Sequence, residues 1–519
     1  MKRGLPYVCL PLVAVLLTVL EGDVLYRIQE QSLFLNTPLF FRQCVASAGG
    51  LLTWVGAWFT QFLYYPMVGA GLLCLLWALL MWLLGRTFRL SDRWMSLTLV
   101  PVACLLIANV ELGYWIFYLK LRGYYFDATV GTIAAVGLAW IYRALPRKPL
   151  LSTCFIPVAT AVGYAFFGFF GLLSATLMGV MAVRRHWADS LVALVAVVAV
   201  PLVSYHTLFC DTHIGGIYWA ALPTFAVRQE CYPRYYLPYA GLVVSTLLLA
   251  AIPPHSNSKT TLAICPSPPA PIKALSPLAP CSVPLILSIC AALCWYRDDN
   301  FHRELAMQRS IEQHDWQQVL ATARAAKDEP TRAMCMMQNL ALFRTGRLRS
   351  EIIAFPQGKK RPEAPFPSRV IHTVGRRLYL EYGLTNYCYR WCMEDGVKYG
   401  WSVEKLKLMA VCALVNNEMA VAQKYLNLLR KTAFHKDWAR HYGEYLRHPQ
   451  RIADAPELKT IVRLNRIDDY LTNDVAQAEM FLIEHFAATR SGDPMIQELT
   501  MAAAYYYDYY ANTYDFIEE

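Results

Sequence analysis

The chain has 519 residues, of which 56% are hydrophobic and 17% charged, and it carries a formal net charge of +10. Because a soluble protein has about 25% charged residues, this composition excludes an ordinary soluble protein. The charge excess lies in residues 1–297, which hold 19 Lys and Arg against 9 Asp and Glu, whereas residues 298–519 hold 29 of each. The second part has no basic excess, so we expect no nucleic-acid partner.

Residues 1–297 have the pattern of a multi-pass membrane domain in the lipid bilayer. The N-terminus is an apolar run that follows Lys2 and Arg3 without a small-residue cleavage site, and it predicts an uncleaved signal-anchor rather than a secretory signal. A membrane span needs about 20 mostly apolar residues. Nine segments are candidates: 5–22, 66–84, 94–112, 124–142, 150–166, 168–184, 190–208, 236–252 and 281–297.

The loops between these segments predict an orientation. With a cytoplasmic N-terminus, twelve Lys and Arg fall inside and seven outside, as the positive-inside rule favours. Nine spans then place residues 298–519 outside the cytoplasm, but a single span over 150–184 would invert everything after it. Residues 253–284 hold nine prolines and no acid, which predicts a loop without a fold of its own.

Residues 298–519 read as a soluble, entirely α-helical domain, because apolar residues recur there at helical spacing. Turn-like breaks occur at His314, Gly346, Gly383 and Asn416, with spacings of 32, 37 and 33 residues. A period near 34 with paired helices is typical of tetratricopeptide-like repeats, which usually bind a protein or peptide. The alternative is an irregular helical bundle without a binding groove.

Charged residues near the predicted outer face are the candidate site. Glu21 and Asp23 follow the first span directly, and carboxylates there could serve as general base or metal ligand. Four arginines and one further acid complete the set as candidate substrate-binding residues: Arg27, Arg122, Asp127, Arg228 and Arg234. Ordinary juxtamembrane charges that pair locally would give the same pattern, and the residues by themselves predict no metal site.

The order of these parts resembles the GT-C class of membrane glycosyltransferases. The carriers of this resemblance are Glu21-Gly22-Asp23 after the first span, an amphipathic segment over 51–64, and a C-terminal domain outside the membrane. The resemblance implies Glu21 or Asp23 as base or metal ligand, arginines that hold phosphate, and a lipid-phosphate-linked sugar as substrate. A divalent metal is expected only in that case.

The chain as a whole resembles an uncharacterised family of bacterial multi-pass membrane proteins with a C-terminal tetratricopeptide-like domain. The segments that carry this resemblance are Arg27–Phe34, Thr60–Pro66, Gln338–Leu342 and Asp468–Leu471. It implies the bacterial inner membrane, with no assigned activity. Two hypotheses follow: a non-enzymatic envelope protein that binds a protein partner, and a GT-C-like transferase.

Overall fold

The structure, a computed structural model, describes residues 5–120, 123–146, 148–210, 213–253, 279–355, 358, 360–465, 485 and 492–500. Arg122 and most of the proline-rich loop lie outside these residues. The predicted all-α class is confirmed, since the described strands are two residues each. The chain forms two compact units: Met1–Leu25, Asn36–Leu112 and Leu121–Tyr296 make the first, and Tyr26–Leu35, Gly113–Lys120 and Arg297–Glu519 make the second.

The first unit is built from apolar helices joined by short turns. Its helices are α1 (Cys9–Leu20), α2 (Gly22–Glu30, whose last residues belong to the second unit), α3 (Pro38–Val45), α4 (Gly50–Thr60), α5 (Pro66–Phe88), α6 (Leu99–Val110), α7 (Tyr124–Ala144), α8 (Pro149–Phe167), α9 (Phe169–Ala182), α10 (Trp187–Thr207), α11 (Leu237–Ala251) and α12 (Ala279–Cys294). Strands β1 (Ala226–Val227) and β2 (Glu230–Cys231) form one antiparallel pair.

The predicted count of about nine spans is wrong for the described residues. Four helices, α5, α7, α8 and α10, are long and apolar enough to cross a membrane, or five if α1 and α2, bent by 75°, form one span. The other predicted segments fold as shorter helices, such as α6 with 12 residues and α9 with 14. At 1.5 Å per residue, the 14 residues of α9 reach roughly 21 Å, against a hydrocarbon core of about 30 Å.

Glycines allow close packing between α8 and α9. The two helices are separated by Gly168 alone, whose φ of 55° is unfavourable for residues that have a Cβ. A Cβ added to Gly171 would lie 2.2 Å from the backbone carbon of Gly163. Small residues at such crossings let two helix backbones approach, which is the usual device in membrane helix pairs.

In its described residues, the second unit contains four consecutive helical hairpins. The first helix of each hairpin, here called the A helix, is α13 (Asp299–Glu312), α15 (Arg332–Arg344), α17 (Arg376–Glu381, preceded by a π-helical turn Ile371–Gly375) or α19 (Val403–Val415). The second, the B helix, is α14 (Trp316–Arg324), α16 (Leu348–Glu351), α18 (Thr385–Tyr399) or α20 (Met419–Leu429). Two further helices follow: α21 (Lys436–Arg447) and α22 (Lys459–Asn465).

The same turn closes all four hairpins. Two positions after the end of each A helix the backbone has positive φ, at His314, Gly346, Gly383 and Asn417, with φ of 57°, 67°, 80° and 62°. After each, a backbone N–H reaches back five residues to a carbonyl, in the pairs Asp315 to Ser310 (2.9 Å), Arg347 to Leu342 (2.8 Å), Leu384 to Tyr379 (2.8 Å) and Glu418 to Ala413 (2.7 Å). This is the Schellman motif, which satisfies the last carbonyls of a helix. The turns coincide with the predicted breaks.

The A helices are far more buried than the B helices. In α19 every residue from Val403 to Leu414 is buried, and in α15 every residue from Ala333 to Phe343. In α14, by contrast, only Val319 and Leu320 are buried. A helix that is buried all round must satisfy its charged side chains inside the protein, and this requirement determines where the charge clusters of the second unit lie.

Candidate functional site

Glu21 and Asp23 lie at the bend between α1 and α2. Glu21 is 6% exposed, its N–H donates to the carbonyl of Leu17, and its carboxylate accepts a hydrogen bond from the indole Nε1 of Trp295. Asp23 is half-buried in the first turn of α2. A buried carboxylate needs such a donor, and Trp295 provides it, so Glu21 has a local structural partner.

Asp127 is the most deeply buried acid of the predicted set. It is 1% exposed in the first turn of α7, and no hydrogen-bond donor among the described residues reaches either carboxylate oxygen. The backbones of Gly56 and Gly123 press against it, since a Cβ on either glycine would lie within 2.6 Å of Asp127 Oδ1. An unpaired acid in a candidate membrane-spanning helix is costly and attracts a functional hypothesis.

Of the predicted arginines of the first unit, the structure describes Arg228 and Arg234. Arg234 pairs with Glu111, with 2.8 Å between Nη2 and the carboxylate, and its side chain is 73% exposed. Arg228 is exposed in the turn between β1 and β2, where its φ is 51°. Arg122 lies outside the described residues.

Arg27 belongs to the second unit and enters a buried charge cluster there. Its Nη2 donates to Glu404 on α19 at 2.6 Å and to the carbonyl of Thr373 at 3.3 Å. Glu404 also accepts from Gln31 at 2.6 Å and from Arg376 at 3.2 Å. The cluster therefore joins the segment 26–35 to two A helices, and Arg27 has a structural partner there.

A second buried cluster surrounds Lys407, one helical turn further along α19. The Nζ of Lys407 lies 3.1 Å from Glu30 and 2.7 Å from Glu312, and Glu30 is 0% exposed. Gln29 bonds His435 at 2.7 Å beside it. One ammonium thus lies between a carboxylate of the segment 26–35 and one from the end of α13, and both accept hydrogen bonds from it.

The pKa shifts follow from these partners. Burial raises the pKa of Glu404, but the positive charges of Arg27 and Arg376 outweigh it and hold the pKa well below its usual range. Burial likewise opposes the charges of Lys407 and Arg377 at Glu312, whose pKa falls to about 2. Burial and the charge of Lys407 lower the pKa of His435 to about 3, so this histidine is neutral at pH 7. Glu404, Glu312 and His435 are therefore held in fixed charge states near pH 7, which suits structural ion pairs better than acid–base catalysis. Glu30 differs from them, because burial and the charge of Glu312 raise its pKa to about 7.

The segment 113–120 also packs on the A-helix side. The hydroxyl of Tyr118 accepts from the backbone N–H of Arg369 at 3.1 Å, and its ring meets that of His372 edge-on at 5.5 Å. The Tyr114 ring lies 4.8 Å from that of Phe301 on α13. Two stretches from outside residues 297–519 therefore cover A helices of the second unit.

Sequence reasoning missed the acids and bases of these clusters. A signal for them was present in α19, where Glu404, Lys405 and Lys407 precede an unbroken apolar run from Leu408 to Val415. Such a run indicates a helix buried on all sides, whose charges must be paired. Nothing in the sequence identified the partners.

The described residues define an all-α protein with several helices long and apolar enough to cross a membrane and a second unit of repeated helical hairpins. The chain belongs to a family of unknown function, DUF6057, whose family model matches residues 2–504. This agrees with the predicted membership of an uncharacterised family. No curated protein matches the chain, and no solved structure matches it.

Proposed function

We propose that this is a non-enzymatic protein of the bacterial inner membrane whose second unit binds a protein or peptide partner at the cell envelope. Residues 1–297 would embed the chain in the bilayer, and residues 298–519 would form a tetratricopeptide-like domain outside the cytoplasm. The four hairpins with one recurring turn support the repeat assignment. Arrays of this kind commonly bind proteins.

The observation that carries the proposal is where the second unit exposes large apolar side chains. Among the described residues of this unit they are Ile353, Met393 and Val397, which are 74%, 37% and 79% exposed. Met393 and Val397 are one turn apart on the B helix α18, and Ile353 follows the B helix α16. The segments 26–35 and 113–120 contact α13, the turn before α17, and α19, so we assign partner binding to the B helices.

The test is site-specific photo-crosslinking in cells that express the full chain. A benzoylphenylalanine at Val397 or at Ile353 should give a discrete adduct with one protein, and Met393→Glu should weaken the adduct at Val397. The same label at Arg440, exposed on α21 outside the hairpins, is the matched control. If both B-side positions give no adduct beyond that of Arg440, the B helices do not bind a partner and the proposal is wrong.

The alternative is a GT-C-like transferase that uses a lipid-phosphate-linked sugar. Its support is the burial of Glu21 and Asp127 in the first unit. Against it, Arg234 pairs with Glu111, Arg27 pairs with Glu404, and the described residues contain no group of three or more His, Cys, Asp or Glu arranged to hold a metal. A divalent metal therefore has no fitting donor set there.

The transferase alternative has its own test. The purified full chain is incubated with radiolabelled polyprenyl-phosphate sugars and a peptide or sugar acceptor. Turnover that is lost in both Glu21→Ala and Asp23→Ala, but kept in Arg440→Ala, would replace our proposal with the transferase.

A further inference from the structure

A cavity of about 370 Å³ in the first unit is bordered by arginines from several helix ends. Arg89 follows α5, Arg143 is in the last turn of α7, and Arg184 and Arg185 follow α9. The end of α11 contributes Ile252. The described lining holds these four cations and no Asp or Glu.

Backbone carbonyls hold three of these guanidiniums in place. Arg185 donates to the carbonyls of Tyr142 (3.2 Å), Leu145 (3.0 Å) and Pro146 (2.7 Å). Arg184 donates to those of Ile252 (3.0 Å) and Ala251, and Arg143 to that of Thr87. Cations at helix C-termini are favourable on their own, so capping explains part of the arrangement.

Capping leaves the charge of the cavity uncancelled. A carbonyl is a dipole without net charge, so four guanidiniums around one cavity still repel each other. Asp189, in the first turn of α10, accepts hydrogen bonds from the Tyr142 hydroxyl at 3.1 Å and from two further hydroxyls, those of Ser152 and Thr153, at 2.7 and 2.6 Å. Asp189 is outside the cavity lining, so the described lining offers an anion four positive charges and no competing carboxylate.

The residue types indicate which anion. A guanidinium presents a planar fork of N–H donors that matches a phosphate, and each has five donors, more than the carbonyls take. The arginines stand beside apolar Phe88, Met181 and Ile252, so the cavity can take a phosphate that carries an apolar substituent. The volume lies within the usual range for small-ligand sites.

We infer that this cavity is a phosphate-binding site, which nothing in the family assignment records. Basic pockets between membrane helices commonly bind anionic lipid headgroups. A phosphate from a lipid headgroup and free inorganic phosphate share the same chemistry, and experiment can separate them. The inference does not depend on the proposed partner binding.

The experiment uses the full chain, purified and delipidated in a neutral detergent. Dihexanoyl-phosphatidic acid, dihexanoyl-phosphatidylcholine and inorganic phosphate are titrated separately, with bound ligand counted by native mass spectrometry and stability followed by tryptophan fluorescence. We expect one saturable site for phosphatidic acid, with affinity roughly tenfold weaker in Arg143→Gln and in Arg184→Gln. Arg42→Gln, which removes an exposed arginine of α3 in the same unit outside the cavity, should bind normally.

Each outcome is decisive. Binding of phosphatidic acid alone identifies a lipid headgroup site, and equal binding of inorganic phosphate identifies a free-phosphate site. If Arg143→Gln and Arg184→Gln fold poorly, Arg89→Gln replaces them, because Arg89 lines the cavity and is exposed. The inference is overturned if neither anion binds, if phosphatidylcholine binds as tightly as phosphatidic acid, or if the cavity variants bind as the wild type does.

Discussion

Replacement of Lys407 by Met should destabilise the second unit strongly. The wild-type ammonium lies between Glu30 and Glu312, and its removal leaves two buried carboxylates without their shared cation. Breaking a buried pair in this way costs about 3–5 kcal/mol. In a unit of roughly 200 residues, where each kcal/mol moves Tm by about 2–4 °C, we expect a loss of roughly 6–20 °C.

The loss should depend on pH with a definite sign. In the wild type, the pKa of Glu312 is lowered to about 2, so its contribution to stability is complete above the unfolded-state pKa and is lost as pH falls through about 2. Burial and the charge of Glu312 raise the pKa of Glu30 to about 7, so the wild type gains some stability as pH falls from 8 to 5. In Lys407→Met, Arg377 still faces Glu312. The two buried acids, Glu30 and Glu312, have lost the charge of Lys407, so one of them must be protonated before the unit can fold. Protonation is easy at low pH, so the Tm difference between variant and wild type should shrink from pH 8 to pH 5.

The assay is thermal unfolding of the full chain in detergent, followed by tryptophan fluorescence. Trp438 reports locally, since the Lys407 Nζ lies 5.8 Å from the centre of its ring. Arg440→Met is the control, because its partner Asp437 is 88% exposed and such surface pairs contribute at most about 1 kcal/mol. If Lys407→Met lowers Tm no more than Arg440→Met, or if its loss does not change with pH, the assignment of this cluster as a buried ion pair is refuted.

Three further predictions are checked by the same measurement. Gly383→Ala should lower Tm more than Gly346→Ala. Both substitutions place a side chain on a residue with left-handed backbone, at a cost of roughly 1–2 kcal/mol, but only at Gly383 would the new Cβ collide, 2.6 Å from the Cβ of Leu464. Equal losses of Tm would contradict this. Asp189→Ala should lower the free energy of unfolding by about 1.5–3 kcal/mol or more, because three hydroxyls lose the carboxylate to which they donate. Asp127→Asn should change Tm less, because no described donor bonds the Asp127 carboxylate. Tyr118→Phe removes the hydroxyl that accepts a hydrogen bond from the backbone N–H of Arg369, and it should cost about 1 kcal/mol of stability. An unchanged Tm would mean that this hydrogen bond does not stabilise the protein.

Local features of the second unit could be predicted from the sequence. The hairpin turns fall at His314, Gly346, Gly383 and next to Asn416 because a Schellman turn depends on a few consecutive residues, one of which must accept positive φ. Apolar segments of the first unit could also be located, since hydropathy is local. The span count was wrong because helix length depends on where each helix stops: α6, for example, follows a 3₁₀ stretch over Asp92–Thr98.

The partners within each buried charge cluster are known only from the tertiary structure. Arg27 and Glu404 are separated by 377 positions in the sequence, and no pattern in either segment names the other. Composition alone assigned Arg27 to a site near Glu21, because both follow the first apolar run. Charge and hydropathy patterns determined which segments are apolar, helical and turning. Which buried carboxylate meets which cation was decided by packing, since a buried charge is tolerated only where the folded chain brings its partner within hydrogen-bond distance.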